Sequence, residues 1–302
     1  MPRDTLTLDA PAKVNLALSV GSPDPATGMH PIASWMVAID FCDAVRLTRA
    51  EGGGTFDVVY AADAPRPEPV DWPAERDLGY RAWRMLEARI GRALPTRIAI
   101  EKRIPTGAGL GGGSSDAAAV LVGLNDLWDL ELSTEALAEV AATLGSDVPF
   151  LVHAMRGEPS MVATGLGEVL QPAKLVAPVD LVLVLPDCKC PTGPVYRSFD
   201  DRLGGVAREP DAAAVEALVA SQPRRSVDGL MNDLAQPAMD ATPELADALA
   251  SMASVVGEDA VRVTGSGSTL FTVVATRGAA EQCVDRLRER GLTAMAAQTL
   301  SA

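Results

Sequence analysis

Short hydrophobic runs separated by turn residues fill the first 50 residues of the chain. Apolar and β-branched residues dominate 6–20 and 35–47, and Pro, Gly and Asp interrupt both stretches. This pattern predicts strands joined by turns. Four prolines and several acidic residues then crowd the segment 61–77. Because proline lacks a backbone donor and fixes φ, we predict an exposed loop there.

A glycine-rich segment follows in the middle of the chain, with helical patterns on both sides. The stretch after it is rich in alanine and leucine and begins with Ser and Asp, which favour helix starts. The predicted elements are a helix over 78–90, a strand over 96–102, a loop over 104–113, a helix over 114–128, and a helix from Ser133 or Thr134 to about residue 144. A strand, a glycine loop and a helix in succession form the context that phosphate binding requires.

Strands and helices are mixed in the remainder of the chain. We predict strands over 180–185, 260–264, 270–275 and 292–297, and helices over 212–221, 243–253 and 279–290. Helices packed on one face of a sheet give this mixture, so the predicted fold class is α+β. The chain has 302 residues. At about 150 residues per domain, this length indicates two domains, which we place at 1–156 and 157–302.

The overall charge limits which partners the chain can have. Lysine and arginine number 26 against 40 aspartates and glutamates, which gives a net charge of −14. This charge argues against nucleic acids and membranes as partners, so local donors must hold any anionic ligand. No CxxC pair is present, and with two histidines a zinc site is not expected. The N-terminus lacks a signal-peptide pattern and no segment is long and apolar enough to span a membrane, which predicts a cytoplasmic protein.

The strongest chemical signal is the sequence PTGAGLGGGSSD at 105–116, with five glycines among seven residues. Residues without a Cβ allow several backbone amides to converge on one anion. The following helix adds unpaired N–H groups and the positive end of its dipole, and both favour phosphate. Each hydrogen bond to a charged group contributes about 1.5 to 3 kcal/mol, so a few could hold a triphosphate. Asp116 is interpreted as a charge at the helix N-terminus.

Other interpretations of this segment fit the sequence less well. A Walker A loop needs a lysine after its last glycine, whereas Ser114 follows Gly113 here. Gly107, Gly109 and Gly112 do spell GxGxxG, but a dinucleotide-binding fold would continue to a parallel strand with an acidic residue. A second helix is predicted instead, so an NAD-dependent oxidoreductase is a distant alternative. The strong strand and helix signals on both sides argue against a flexible loop without a ligand.

Four motifs together resemble those of the GHMP kinase superfamily, which includes galactokinase and the homoserine, mevalonate and phosphomevalonate kinases. They are PAKVNLAL at 11–18, GAGLGGGSSDAAA at 107–119, LGSDVPF at 144–150 and GSGS at 265–268. Within the superfamily they are similar to the branch that phosphorylates a cytidine-diphosphate-linked alcohol in the non-mevalonate route to isoprenoid precursors. The resemblance implies an N-terminal lobe like ribosomal protein S5 domain 2 and a ferredoxin-like C-terminal lobe. It also implies ATP and Mg²⁺ as cofactors and a small cytidyl substrate.

The resemblance implies roles for individual residues. Asp147 would accept or orient the proton of the substrate hydroxyl, and Lys13 would keep Asp147 ionised and stabilise developing charge. Taken alone, Lys13 could be a surface lysine, and Asp147 could be a turn residue that caps nearby amides. The implied ATP-binding residues are Pro105, Thr106, Gly107, Ala108, Gly109, Leu110, Gly111, Gly112, Gly113, Ser114 and Ser115. Ser115 is a candidate magnesium ligand, and the metal site is otherwise unknown.

Three further residues are implied to bind the cytidyl substrate. Asn15 and His30 match family positions that hydrogen-bond the cytidine, and Tyr196 matches an aromatic residue that stacks on the base. Met29 stands where the family usually has a tyrosine, so the base would lack an aromatic sandwich there.

The adenine end of the site also departs from the family pattern. Asp77 stands where an asparagine is usual, which keeps a hydrogen-bond acceptor and loses a donor. Lys102 is the contact expected to compensate. Residues 265–267 are either a tight turn or a segment beside the substrate phosphate.

Two other functions remain open at the level of sequence. One is a kinase of the same superfamily for another small alcohol, such as mevalonate or homoserine. The other is a nucleotide-binding module without catalytic activity. In either case we expect a monomer or a homodimer.

Overall fold

The computed structural model describes residues 4–222 and 226–301. The chain divides into two compact units. The first unit contains the described residues up to Ala12, Phe41–Thr106 and Gly111–Pro159, and the second contains Lys13–Asp40, Gly107–Leu110 and the described residues from Ser160 onward. The change of unit at Ser160 lies near the predicted boundary at residue 156, although that boundary itself stays a prediction.

Two long strands contribute one part to each unit. Strand β1 spans Thr5–Val20 and strand β2 spans Ile32–Arg49. The sequence predicts several short strands in these stretches, but Pro11 and Asp43 do not interrupt them. The fixed φ of proline is compatible with extended backbone, and Asp43 has buried partners that are described below.

The first unit is built around a buried helix. Its other elements are β3 (Thr55–Tyr60), α1 (Leu78–Ile90), β4 (Thr96–Lys102), α2 (Gly112–Leu127), α3 (Thr134–Ala142) and α4 (Val148–Met155). Strand β4 pairs antiparallel with β2 and parallel with β3. Helix α2 is buried at nearly every position from Ser115 to Leu127. A helix that is apolar on all sides requires such a position in the core.

The second unit contains a four-stranded antiparallel sheet. Its elements are β5 (Ser160–Gly165), β6 (Val169–Pro172), β7 (Asp180–Val184), α5 (Thr192–Leu203), α6 (Ala212–Ser221), β8 (Met231–Asn232), α7 (Ala235–Ala241), α8 (Pro243–Val256), β9 (Arg262–Val263), β10 (Leu270–Val274), α9 (Arg277–Arg288) and β11 (Ala294–Gln298). The order β11-β7-β10-β9, with helices after β7 and β10, is the ferredoxin-like topology. The predicted ferredoxin-like lobe is therefore confirmed.

The remaining strands of the second unit extend from β1 and β2. Strand β5 pairs antiparallel with β2, which places Ile32 opposite Gly165, and β6 pairs with β5. Strand β8 pairs parallel with β1, which places Ala17 opposite Met231. This pairing fixes the position of Asn232, whose side chain is important below.

Some elements differ from the sequence prediction. Strands β3, β5, β6 and β8 and helices α4, α5 and α7 were not predicted, and the strand predicted over 260–264 is reduced to Arg262–Val263. It is shortened because Glu258–Ala260 forms a 3₁₀ turn. Among the residues described, no helix has both the length and the apolar character needed to cross a membrane.

Candidate active site

Helix α2 begins directly after Gly111, two residues earlier than predicted. Gly111 has φ 72° and supplies no side-chain cap, so the first amides of α2 receive no hydrogen bond from a capping residue. Ser115 is fully buried in the first turns of α2, and within the described ranges its hydroxyl has no hydrogen-bond partner. Phosphate oxygens can accept from such amides, and an unpaired hydroxyl can ligate a hard cation.

Three charged side chains of β2, β4 and α2 form a buried group that we call the Lys102 cluster. Lys102 Nζ lies 2.6 Å from Asp43 Oδ2 and 2.5 Å from Asp116 Oδ2. All three side chains are at most 3% exposed. Lys102 was predicted to contact ATP, but its ammonium is held by two buried carboxylates. Lys102 thus has partners inside the first unit, and the expected adenine contact stays a prediction.

The protonation of the Lys102 cluster is set by burial. Burial raises the pKa of Asp116 to about 8, although Lys102 opposes the shift. Burial alone would lower the pKa of Lys102, but the charges of Asp116 and Asp43 outweigh it and raise that pKa above its usual range. Asp116 is therefore not the simple helix-end charge that the sequence suggested, because it is buried against Lys102 and its raised pKa favours the protonated form.

Asp43 also anchors the backbone that leads into the glycine-rich segment. Its Oδ1 accepts hydrogen bonds from the backbone N–H of Arg103 at 2.5 Å and of Ile104 at 2.8 Å. Through Asp43, the Lys102 cluster thus holds the backbone just before Pro105. Through Asp116, it holds helix α2. Both ends of the glycine-rich segment are fixed by one charged group in the core.

In the second unit, Lys13 is held by its neighbour on the same face of β1. Lys13 Nζ donates to Asn15 Oδ1 at 2.7 Å, and Asn15 Nδ2 donates to Ser34 Oγ at 2.8 Å. The backbone N–H of Asn15 donates to Thr264 Oγ1 at 3.0 Å. Lys13 and Asn15 are 4% and 5% exposed, so Lys13 is not the surface lysine of the alternative interpretation. Asn15, predicted to bind cytidine, orients the ammonium of Lys13 through its amide oxygen.

The loop 107–110 lies against the turn that contains the GSGS motif. The N–H of Lys13 donates to Leu110 O at 2.9 Å, and the N–H of Thr269 donates to Ala108 O at 3.1 Å. Gly109 has φ +76°, and a Cβ there would lie 2.5 Å from Thr264 O. Only glycine fits this position without strain.

The GSGS motif begins beside the ammonium of Lys13. A Cβ on Gly265 would lie 3.2 Å from Lys13 Nζ. Asn232 supports this turn, because its Nδ2 donates to the carbonyls of Val263 and Gly265 at 2.7 and 2.8 Å. The structure thus brings Lys13, Asn15, the loop 107–110 and the GSGS motif together within one unit.

The two residues predicted to recognise the cytosine base are also neighbours in the second unit. The ring centroids of His30 and Tyr196 are 4.7 Å apart, with an interplanar angle of 49°. His30 Nε2 lies 2.8 Å from Asp200 Oδ1 on α5. Met29, beside His30, is 52% exposed. The proximity of His30 and Tyr196 agrees with a shared binding role, which stays a prediction.

The other two predicted carboxylates lie at helix starts in the first unit. Asp147 is half-buried at the N-cap position of α4, and its side chain does not cap that helix. Asp77 does cap α1, because its Oδ1 accepts from Gly79 N at 2.8 Å, and its Oδ2 accepts from Trp72 Nε1 at 2.9 Å. Both oxygens of Asp77 thus already have donors within the chain.

Comparison with protein families identifies the class to which these features belong. The model of the GHMP kinases N terminal domain matches residues 77–154, and the model of the GHMP kinases C terminal domain matches residues 214–292. Curated relatives that are 36% identical over nearly the whole chain agree with this assignment. The chain therefore belongs to the GHMP kinase family, whose members are ATP-dependent phosphotransferases. The predicted fold and enzyme class are confirmed.

Particular relatives narrow the resemblance further. The 4-diphosphocytidyl-2-C-methyl-D-erythritol kinase of Symbiobacterium thermophilum is 36% identical over 98% of this chain and 100% of its own length. The kinase of the same name from Bacillus subtilis is 35% identical over 92% of this chain and 91% of its own length. A crystal structure of 4-(cytidine 5′-diphospho)-2C-methyl-D-erythritol kinase has a TM-score of 0.75 at 31% identity, and covers 98% of this chain and 100% of its own. A homoserine kinase from Cytophaga hutchinsonii, with a TM-score of 0.68 at 16% identity, shares the fold.

Several residues at the site are not identified by sequence motifs alone. Asp43, Asn232 and Asp200 hold the predicted residues in place, yet each lies far along the chain from the group it contacts. Asp43 and Asp200 are single acidic residues in an acidic chain and give no local signal.

Proposed function

We propose that this chain transfers the γ-phosphoryl group of ATP to the 2-hydroxyl of 4-diphosphocytidyl-2-C-methyl-D-erythritol, in the non-mevalonate pathway to isoprenoid precursors. The proposal depends on one observation, the full-length similarity to curated kinases of that name. The crystal structure at 31% identity adds support. Mevalonate and homoserine kinases match at 11 to 16% identity, which reflects the shared fold only.

In the proposed reaction, Asp147 accepts or orients the proton of the substrate hydroxyl. Lys13 stabilises negative charge on the transferring phosphoryl group. The hydrogen bond from Lys13 Nζ to Asn15 Oδ1 supports this role, because it fixes a flexible side chain before substrate binds. Asn15 holds Lys13 and, together with His30 and Tyr196, binds the cytidyl substrate. The amides and hydroxyls of residues 105–115 hold the phosphates of ATP.

Magnesium fits the oxygen donors available at the start of α2. Mg²⁺ usually takes one or two protein oxygens, several waters and substrate phosphates. The buried hydroxyl of Ser115, which has no hydrogen-bond partner among the residues described, suits such a protein ligand. When bound, the ion neutralises charge on the phosphates of ATP.

A cytoplasmic enzyme that acts as a monomer or homodimer completes the proposal. The net charge of −14 supports small-molecule ligands held by local donors, with no nucleic acid or membrane partner.

Asp147→Asn tests the mechanism. ADP release with the cytidyl substrate should fall by about 10²- to 10⁴-fold, because general-base assistance is lost. The dissociation constant of ATP, measured from the protection that ATP gives against thermal unfolding, should stay within about twofold of that of the unmodified protein. The exposed Asp57→Asn on β3 is the matched control. Near-normal turnover in Asp147→Asn would remove that residue from the mechanism.

The substrate is tested separately with the unmodified protein. ADP release should require the cytidyl alcohol, and mevalonate or homoserine should not replace it. Turnover with mevalonate or homoserine, and none with the cytidyl compound, would refute the proposed substrate and identify the alcohol that is turned over as the substrate.

A further inference from the structure

The loop that carries His30 is internally ordered by its own hydrogen bonds. Asp24 Oδ1 accepts from the backbone N–H of Ala26 and Thr27, both at 2.9 Å, and the N–H of Gly21 donates to Pro31 O at 2.8 Å. The same bonds to Asp24 hold the pKa of that carboxyl below its usual value. His30 therefore extends from a closed loop with limited freedom.

The His30 ring lies against one face of α5. Tyr196, Phe199 and Asp200 are spaced i, i+3 and i+4, so they lie together on that face. The ring of His30 is 4.7 Å from Tyr196 and 6.0 Å from Phe199, between centroids. The His30 side chain is 9% exposed, whereas Asp200 is 37% exposed. The two aromatic rings limit the tilt of the imidazole, and the carboxylate meets one of its two nitrogens.

The contact with Asp200 determines which ring nitrogen can accept a hydrogen bond. A carboxylate accepts protons, so Asp200 favours the tautomer of neutral His30 that carries its hydrogen on Nε2. Nδ1 is then an acceptor. Among the described residues, the hydrogen-bond partner of the His30 ring is Asp200, which contacts Nε2 and leaves Nδ1 for a ligand. An acceptor suits the amino group on C4 of cytosine and opposes the carbonyl oxygen at the same position of uracil.

We propose that Asp200 is a positioning residue that determines base specificity: it fixes the His30 tautomer in which Nδ1 accepts a hydrogen bond from the cytosine amino group. The inference rests on the proposed function, since it requires the cytidine of the substrate beside His30. In this inference, Asp200 favours cytosine over uracil without contacting the base itself.

The first test compares the cytidyl substrate with its uridyl counterpart. In Asp200→Asn the side-chain amide can accept from or donate to Nε2, so the tautomer is no longer fixed. The ratio of kcat/KM for the cytidyl over the uridyl substrate should fall about tenfold or more, as expected for one mismatched hydrogen bond. Asp200→Glu should restore most of the ratio. Asp201→Asn, an exposed neighbour on α5, should leave it unchanged.

The second test requires no substitution at Asp200. The chain has two histidines, so nitrogen NMR of the uniformly labelled protein can be assigned with His153→Gln. In the spectrum of neutral His30, Nε2 should be protonated and Nδ1 unprotonated. The opposite tautomer, or an unchanged kcat/KM ratio in an active Asp200→Asn enzyme, would overturn the inference. No turnover of the cytidyl substrate by the unmodified enzyme would instead refute the proposed function, while the tautomer would still be measured.

Discussion

Replacing Lys102 by methionine tests whether the Lys102 cluster holds the first unit together. Lys102→Met keeps much of the side-chain volume and removes the ammonium that lies 2.6 and 2.5 Å from two buried carboxylates. Removing one partner of a buried ion pair destabilises a protein by about 3 to 5 kcal/mol, because the remaining charge is stranded. Asp116, whose raised pKa rises further without Lys102, takes up a proton, so Asp43 is the carboxylate left without a cation and a loss within this range is expected.

Urea denaturation followed by tryptophan fluorescence measures this effect. Trp72, Trp83 and Trp128 lie in the first unit, so the signal is weighted towards the part of the chain that contains the Lys102 cluster. The exposed Lys174→Met is the matched control and should change the free energy of unfolding by at most about 0.5 kcal/mol.

A double variant separates charge from packing. In Lys102→Met with Asp43→Asn, the stranded carboxylate becomes neutral, so part of the lost stability should return. A loss below about 1 kcal/mol in Lys102→Met alone would refute the assigned role. So would a double variant that is less stable than the single variant, because it would show that packing dominates.

Three further predictions concern the same site. Gly109→Ala should destabilise the protein by about 1 to 3 kcal/mol in urea denaturation. Its Cβ would meet Thr264 O at 2.5 Å, whereas Gly91→Ala, with a similar φ and nothing within 4 Å, should lose less; equal losses would contradict the close contact. Asp116 has a folded-state pKa of about 8, above its ordinary 3.8, so the folded state holds the proton more tightly between these values. The stability of the unmodified protein relative to Asp116→Asn should therefore fall as pH rises from about 4 to 8, and a difference that is flat or rises with pH would be inconsistent. Ser115→Ala should raise the Mg²⁺ concentration for half-maximal activity about tenfold without loss of stability, since the hydroxyl is unpaired; unchanged Mg²⁺ dependence would exclude Ser115 as a ligand.

Elements with local start and stop signals were predicted well from the sequence. Helix α1 at 78–90, strand β4 at 96–102 and helix α6 at 212–221 have the predicted bounds. The side chains of Asp77 and Asp211 cap α1 and α6, and both signals lie within three residues of the amides they bind.

Helix α5 was not predicted, because Pro191, Gly193 and Pro194 normally break helices. Prolines are tolerated in a first helical turn, where the backbone N–H needs no partner within the helix. Val195 and Phe199 then bury one face of the helix in the second unit. Packing therefore decided what local propensity could not.

Sequence motifs predicted many residues of the site, but they did not predict the hydrogen bonds that join those residues. The resemblance identified Lys13, Asn15, the glycine loop and the GSGS motif, and the structure brings them together in one unit. The bond from Asn15 to Thr264 joins residues 249 positions apart, which no local pattern encodes. The contacts of Lys102 were not predicted for the same reason, since its partners Asp43 and Asp116 come from a distant strand and from the next helix.

The hydrogen bond between Lys13 and Asn15 depends on the two side chains lying on the same face of strand β1. Side chains two residues apart share a face of a strand, and neighbours point to opposite faces. Deleting Val14, or inserting one residue beside it, would turn the ammonium and the amide away from each other while every motif residue remained in the chain. Laboratory evolution of this enzyme should therefore accept many substitutions along β1 but reject single-codon insertions and deletions between positions 13 and 15.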